Sequence, residues 1–202
     1  MRLAKTLRNL SFGIAAASFL LAGSAFGLSE LAGGTARLDH SLDAQNARQG
    51  QRVEAKLNDT VKTNAGLDLP KGTELIGTVT EVKASENGGP SSMSLLFTKA
   101  QMKDGRMIPV KVTLIGAYPS SAAGMQPYGE QTMPPPPRRV SPKEKIDQEA
   151  GLLSHVSMHA AAEAHNSATF RDKDGNLRLK AGTYFQVGVA PANSSNSMAN
   201  GA

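Results

Sequence analysis

The feature that most constrains the fold of this chain is a stretch of alternating apolar and polar residues, interrupted by turn signals, from 50 to 116. Near its start the apolar positions are Val53, Ala55 and Leu57. This period of two is typical of a half-buried strand. A second strand is predicted from Leu75 to Val82, where Gly77 interrupts the alternation and indicates a bulge or a close backbone approach.

A tight turn is predicted between these two strands. Pro70 sets φ for the second position of the turn, Gly72 can adopt the left-handed conformation that closes it, and Thr73 follows. A related segment occurs near the C-terminus: residues 67–79 and 177–189 share Leu, Leu, Gly, Thr and Val at the same offsets, so that Gly182 and Thr183 match the first turn. The match is either chance convergence or a repeat, and both interpretations predict a second β-turn-β segment.

A further hairpin is predicted after an exposed loop at 86–90. Its first strand carries Met93, Leu95 and Phe97 at alternate positions, and its turn is Asp104-Gly105. In the second strand, Pro109 lacks a backbone donor. The strand is therefore expected to lie at an edge, or to be paired only beyond Pro109.

The N-terminus has the three parts of a secretory signal peptide. Three basic residues precede an apolar run from Leu10 to Leu21, and small residues follow at Gly23, Ala25 and Gly27. The run is shorter than the ~20 apolar residues that a membrane span needs. We therefore expect cleavage after Ala25 or Gly27, a periplasmic or secreted protein, and no transmembrane span in the mature chain.

The charge of the whole chain depends strongly on this leader. The chain has 22 Lys and Arg against 17 Asp and Glu, and three of the basic residues lie in 1–27, which leaves a mature net charge of +2. This near balance argues against a nucleic-acid partner. The absence of cysteine excludes disulfides and thiol catalysis.

The sequence predicts one β-domain with a long excursion. The predicted parts are a frayed arm from Leu28 to Ala36, a β-domain at 36–118 and a proline-rich linker at 119–141. Residues 142–190 are predicted to form a helix followed by a hairpin that returns to the β-domain, and 191–202 a disordered tail. The helix prediction, from 142 to about 166, comes from Ser141, Pro142 and Glu144, which fit a capping box.

One constellation could carry chemistry. On a helix, His155, His159 and Glu163 would share a face and could hold a metal ion, and Met158 would suit a soft ion such as copper(I). The alternative is a solvated face, with the histidines idle or packed on the β-domain. No cofactor is predicted otherwise, and no nucleophile, histidine and acid can be assigned as a catalytic set, so we do not expect an enzyme.

The central segment resembles the C-terminal β-domain of the TrbI-like family, the envelope-spanning core subunit of type IV secretion systems. The matching residues are 53–55, the turn at 69–77, and 104–109. Residues 41–116 also look like small secreted β-rich proteins of soil bacteria whose function is not established. Both resemblances imply an envelope β-module that acts through its surfaces.

The sequence thus predicts a mainly β fold, a small antiparallel barrel or sandwich with one helix in the C-terminal half. The predicted function is a non-enzymatic structural or interaction role in the cell envelope, through protein partners or self-association. The alternative is a periplasmic metal-binding protein that uses the histidine and glutamate face.

Overall fold

The computed structural model of the chain describes residues 31–120, 138–139, 141, 144–153, 155–161 and 164–192. The predicted signal peptide, most of the predicted linker and nearly all of the predicted tail lie outside these residues. The described residues form thirteen strands: β1 Ala32–Leu38, β2 Leu42–Asp43, β3 Arg52–Leu57, β4 Val61–Lys62, β5 Asp68–Leu69, β6 Glu74–Lys83, β7 Ser91–Gln101, β8 Met107–Tyr118, β9 Lys145–Leu153, β10 Val156–Ala161, β11 Ala168–Asp172, β12 Arg178–Leu179 and β13 Tyr184–Pro191.

Six of the strands close an antiparallel barrel in the order β6-β3-β1-β13-β8-β7, with β7 pairing back to β6. Alternation in these strands buries one set of apolar side chains, which join those of the other strands in a single core. Its largest fully buried members include Phe97, Phe170, Phe185, Leu75, Leu95 and Leu114. The predictions of a mainly β fold and of a barrel are confirmed.

The other main feature is a three-stranded extension, β11-β10-β9, that continues the sheet from β7. It begins where β7 and β8 separate: these strands pair only at 99–101 with 107–109, and β11 then pairs with the first half of β7. Ser167, which is fully buried, lies where the two strands separate and makes hydrogen bonds to both of them. Its backbone N–H donates to Leu95 O at 2.7 Å, its Oγ accepts from Phe97 N at 2.9 Å, and its carbonyl accepts from Leu114 N at 2.9 Å.

The extension also supplies hydrogen bonds to the part of β8 that does not pair with β7. The Gln148 side chain of β9 accepts from Ala117 N at 2.7 Å and donates to Ala117 O at 2.8 Å. It thereby replaces the two hydrogen bonds that a neighbouring strand would make.

The predicted helix from 142 to about 166 is wrong in the described residues, because they form β9 and β10. The capping signal has a local explanation: Glu144 N donates to Ser141 O at 3.0 Å, and Ser141 N donates to Glu144 Oε2 at 3.4 Å, in a turn that leads into β9. Beyond it, Val156, Met158 and Ala160 are buried at every second position, while His159 is exposed and Ser157 is buried under the pairing with Arg171. This alternation fits a strand and not a helix.

The predicted frayed arm is also wrong from Ala32 onward, since β1 lies inside the wall between β3 and β13. Its glycines are required by packing and not by flexibility. A Cβ on Gly34 would lie 2.4 Å from Val61 Cγ2, and one on Gly33 would lie 2.3 Å from Arg138 O. Small residues thus allow close approach on both faces of β1.

Neither of the two alternatives for Pro109 holds as predicted, because β8 pairs with β7 up to Pro109 itself and with β13 beyond it. β8 is not an edge strand, because β7 and β13 flank it. The residues that pair with β13 begin at Val110, directly beyond the proline. The missing donor is therefore accommodated where the ladder ends. The irregularity expected at Gly77 is confirmed, because the β6–β7 register shifts between Ile76 and Gly77.

Candidate functional site

The two sequence-related turns have the same geometry. Gly72 has a φ of 87° and Gly182 a φ of 79°. The hydroxyl of Thr73 donates to Pro70 O at 2.7 Å, and that of Thr183 donates to Lys180 O at 2.7 Å. These residues fix the backbone of the turns and are positioned for structure and not for chemistry.

The similarity extends to the strands that each turn connects, and it relates two pairs of barrel strands, β3 with β6 and β1 with β13. β4 pairs with β5 as β2 pairs with β12, and β3 pairs with β6 as β1 pairs with β13. An ion pair stabilises each short ladder: Lys62 Nζ lies 3.1 Å from Asp68 Oδ2, and Arg178 lies 2.8 Å from Asp43 Oδ2. The sequence match at 67–79 and 177–189 is thus part of a structural repeat.

Asp43 is the more strongly bound of the two carboxylates. Asn176 Nδ2 donates to its Oδ1 at 2.6 Å, and Gln45 N donates to the same oxygen at 2.9 Å. The bond from Asn176 is the main reason that the pKa of Asp43 is lowered, with Gln45 and Arg178 adding to the effect. This carboxylate is therefore held ionised as a structural element.

The two histidines of the predicted metal site have separate partners. His159 Nδ1 lies 2.6 Å from Asp147 Oδ1, and His155, with a φ of 62°, has its Nδ1 3.8 Å from Asp174 Oδ2. Glu163 lies outside the described residues. Within the part of the chain that the structure describes, no three His, Cys, Asp or Glu residues form a cluster suited to a metal ion. Among the described residues, 156–161 form a strand in place of the helix that would have aligned the three ligands, and the metal site stays a prediction.

A surface that the sequence did not reveal lies on the outer face of the extension. Two adjoining depressions, of about 430 and 340 Å³, share Pro90, His159 and Arg171. Lys83 lines one of them and Lys173 the other. Since these residues come from four different segments, no local motif announces them. The one available signal is the pair Arg171 and Lys173, whose spacing of two would place them on one face of a strand, although β11 ends between them at Asp172.

Registers place this surface in a regular array. Lys83, Ser92, Arg171 and Ser157 lie side by side across β6, β7, β11 and β10. We call this row, together with Lys173 and His159, the basic face. The array can present several hydrogen-bond donors and positive charges to one ligand.

A third depression, of about 680 Å³, is formed near the turns at Gly72 and Gly105. It is lined by Lys56, Lys71, Lys103 and Glu74 among others. Here an acidic residue is part of the lining, and Glu74 Oε1 lies 3.4 Å from Lys56 Nζ. We call it the turn groove. Its positive charge is partly neutralised, in contrast to the basic face.

Comparison with known proteins gives a limited result. No family model and no curated protein matches the chain. Among solved structures it is similar to ComB10 of the Com type IV secretion system of Helicobacter pylori, with a TM-score of 0.38 and 11% identity over 79% of this chain and 85% of that one. Among the described residues, no helix has the length and apolar character of a membrane span.

Proposed function

We propose that this protein is an exported, non-enzymatic β-barrel domain with a structural or interaction role in the cell envelope. The observation that carries the proposal is the packed barrel. Phe97, Leu114 and Phe185 are at most 1% exposed and belong to one continuous core. Because side chains fill the interior of the barrel, we place function on its outer surface, where the basic face and the turn groove lie.

Two further observations support the proposal. The basic, apolar and small-residue segments of 1–27 are those of an export signal. The histidines that were the best candidates for chemistry are engaged with Asp147 and Asp174 on the surface. The resemblance to envelope-spanning secretion subunits adds the kind of partner, a protein of the same envelope or another copy of this chain.

The experiment combines cell fractionation with site-specific crosslinking. The intact mass of the envelope or periplasmic form should correspond to an N-terminus at Phe26 or Leu28. A photo-reactive residue at Gln101, on the outer surface beside the turn groove, should trap an envelope protein or a second copy in living cells. A cytoplasmic protein that retains Arg2 would contradict export. Export without adducts from Gln101 or from an equivalent probe at Arg171 would contradict the interaction role.

A further inference from the structure

The basic face combines several positive charges with little local neutralisation. Arg171 lines both of its depressions, Lys83 and Lys173 one each, and none of their lining residues is acidic. None of the three cationic groups forms an ion pair with another described residue. The carboxylate of Asp147, which lies opposite His159 on β9, is 2.6 Å from His159 Nδ1.

Spacing allows these groups to act together. Neighbouring strands lie about 4.8 Å apart, so Lys83 and Arg171, separated by the strand of Ser92, are about 10 Å apart at the backbone. Long side chains on either side of a small serine can converge over it. The Ser92 hydroxyl lies at the middle of the row and can add a hydrogen bond.

We propose that the basic face binds the phosphoryl group of a soluble phosphate-bearing ligand. A guanidinium binds two phosphate oxygens at once, and an ammonium group adds a compact positive charge. Arg171 is the central contact, Lys83 and Lys173 approach from two sides, and Ser92 donates from below. The site shares one residue, His159, with the predicted metal ligands.

A soluble ligand fits this face better than a lipid headgroup does. A surface that binds a bilayer usually adds apolar side chains that enter the acyl boundary. Met107 is the exposed large hydrophobic residue in the described part of the chain, and it begins β8, which is not one of the strands of the basic face. The basic face supplies charge and hydroxyls without such an anchor.

The test is an NMR titration of the full mature chain with sodium pyrophosphate, against sodium chloride at equal ionic strength. We expect saturable shifts centred on the amides of Ser92, Arg171 and Ser157. The double variant Lys83→Gln with Arg171→Gln should weaken the affinity at least about tenfold, since charge-assisted hydrogen bonds are lost. The double variant Lys83→Gln with Lys173→Gln, which keeps Arg171, provides a second reading if the first does not fold.

The matched control is Lys71→Gln with Lys103→Gln, which removes the same two charges from the turn groove. It should leave the pyrophosphate affinity within about twofold. Shifts that do not saturate, or equal weakening by the basic-face and turn-groove variants, would show general screening and overturn the proposal. Binding to vesicles that contain phosphatidylglycerol without saturable binding of pyrophosphate would overturn it in favour of a membrane surface.

Discussion

Arg37 and Lys56 lie directly opposite each other on β1 and β3, where the two units of the structural repeat meet. Like charges in this position normally destabilise a strand pair. Here each of the two side chains contacts a partner of its own, and the two partners occupy equivalent positions in the repeat. The Arg37 guanidinium lies 4.3 Å over the Tyr184 ring, and Lys56 Nζ lies 3.4 Å from Glu74. The short β1–β3 seam is thus stabilised from both sides.

Ser167→Ala should be among the more destabilising small substitutions. It leaves the buried N–H of Phe97 without the Oγ acceptor, which costs about 1–3 kcal/mol of the free energy of unfolding. Urea denaturation measures the loss. Ser157→Ala is the matched control, because the Ser157 hydroxyl makes only a long 3.4 Å contact with Arg171 O. A loss no larger than that of the control would show that Ser167 does not support the junction.

Gly72→Ala and Gly182→Ala should each destabilise the protein by about 1 kcal/mol or more, because a Cβ is disfavoured at φ near +80°. In addition, a Cβ on Gly182 would lie 2.9 Å from Ser120 Oγ. Gly175→Ala has open space and should be silent, and so should Lys71→Ala. Thermal unfolding compares them, and equal melting temperatures for the Gly72 variant and the wild type would contradict the assigned role.

Asp43→Asn should lower stability at neutral pH by about 1 kcal/mol, since it weakens the bonds from Arg178 and Asn176. The folded-state pKa of Asp43 is lowered, so the folded protein binds fewer protons there than the unfolded chain. Its contribution is therefore complete above the usual aspartate range and is lost as the pH falls through the lowered pKa. The variant should lack this component of acid sensitivity.

The equivalent ion pair of the repeat provides the control for Asp43. Lys62 and Asp68 are 71% and 56% exposed, so Asp68→Asn should change stability by less than about 0.5 kcal/mol. Denaturation at several pH values measures both variants. Identical pH profiles for the wild type and Asp43→Asn would show that this carboxylate does not contribute.

His155→Ala with His159→Ala should cost less than about 1 kcal/mol, because the contacts of both histidines are solvent-exposed. Calorimetry with copper and zinc tests the metal prediction directly. Stoichiometric micromolar binding that the double substitution abolishes would establish a site, and Glu163→Gln would then show whether the third predicted ligand takes part. Binding that persists in the double variant would place any metal elsewhere.

A chain truncated after Pro137 should fail to form the barrel, because β13 would be missing between β1 and β8. The two strands would keep open hydrogen-bonding edges, which promote aggregation. A chain that ends at Ala192 is the control and should keep the full melting temperature. Light scattering and thermal unfolding compare the two, and a monomeric fragment ending at Pro137 with the full-length melting temperature would contradict this account.

The sequence predicted those elements whose pattern is local. Val53, Ala55 and Leu57 alternate, and Gly72 marks its turn, so the strands around them follow directly from periodicity and turn chemistry. β1 was missed because its glycines lower strand propensity, and their reason lies in Val61 and Arg138, which approach from distant segments.

The predicted helix and the basic face show two further limits of prediction from the sequence. Ser141 and Glu144 make the contact of a capping box without a helix behind it, so a local signal was correct and its extension was not. The basic face depends on the pairing of β6, β7, β11 and β10, whose registers bring Lys83, Arg171 and Ser157 together. Such long-range register is not encoded in any short window of sequence.

The neighbouring positions of β1 and β13 have a consequence for when the protein can fold. The ribosome delivers Ala32 early and Pro191 about 160 residues later, yet the two strands pair along six residues. Until then β1 has only its three-residue seam with β3. A fold of such high contact order forms slowly and only after nearly complete synthesis. The delay is compatible with the proposed export, because an exported polypeptide crosses a membrane before it folds.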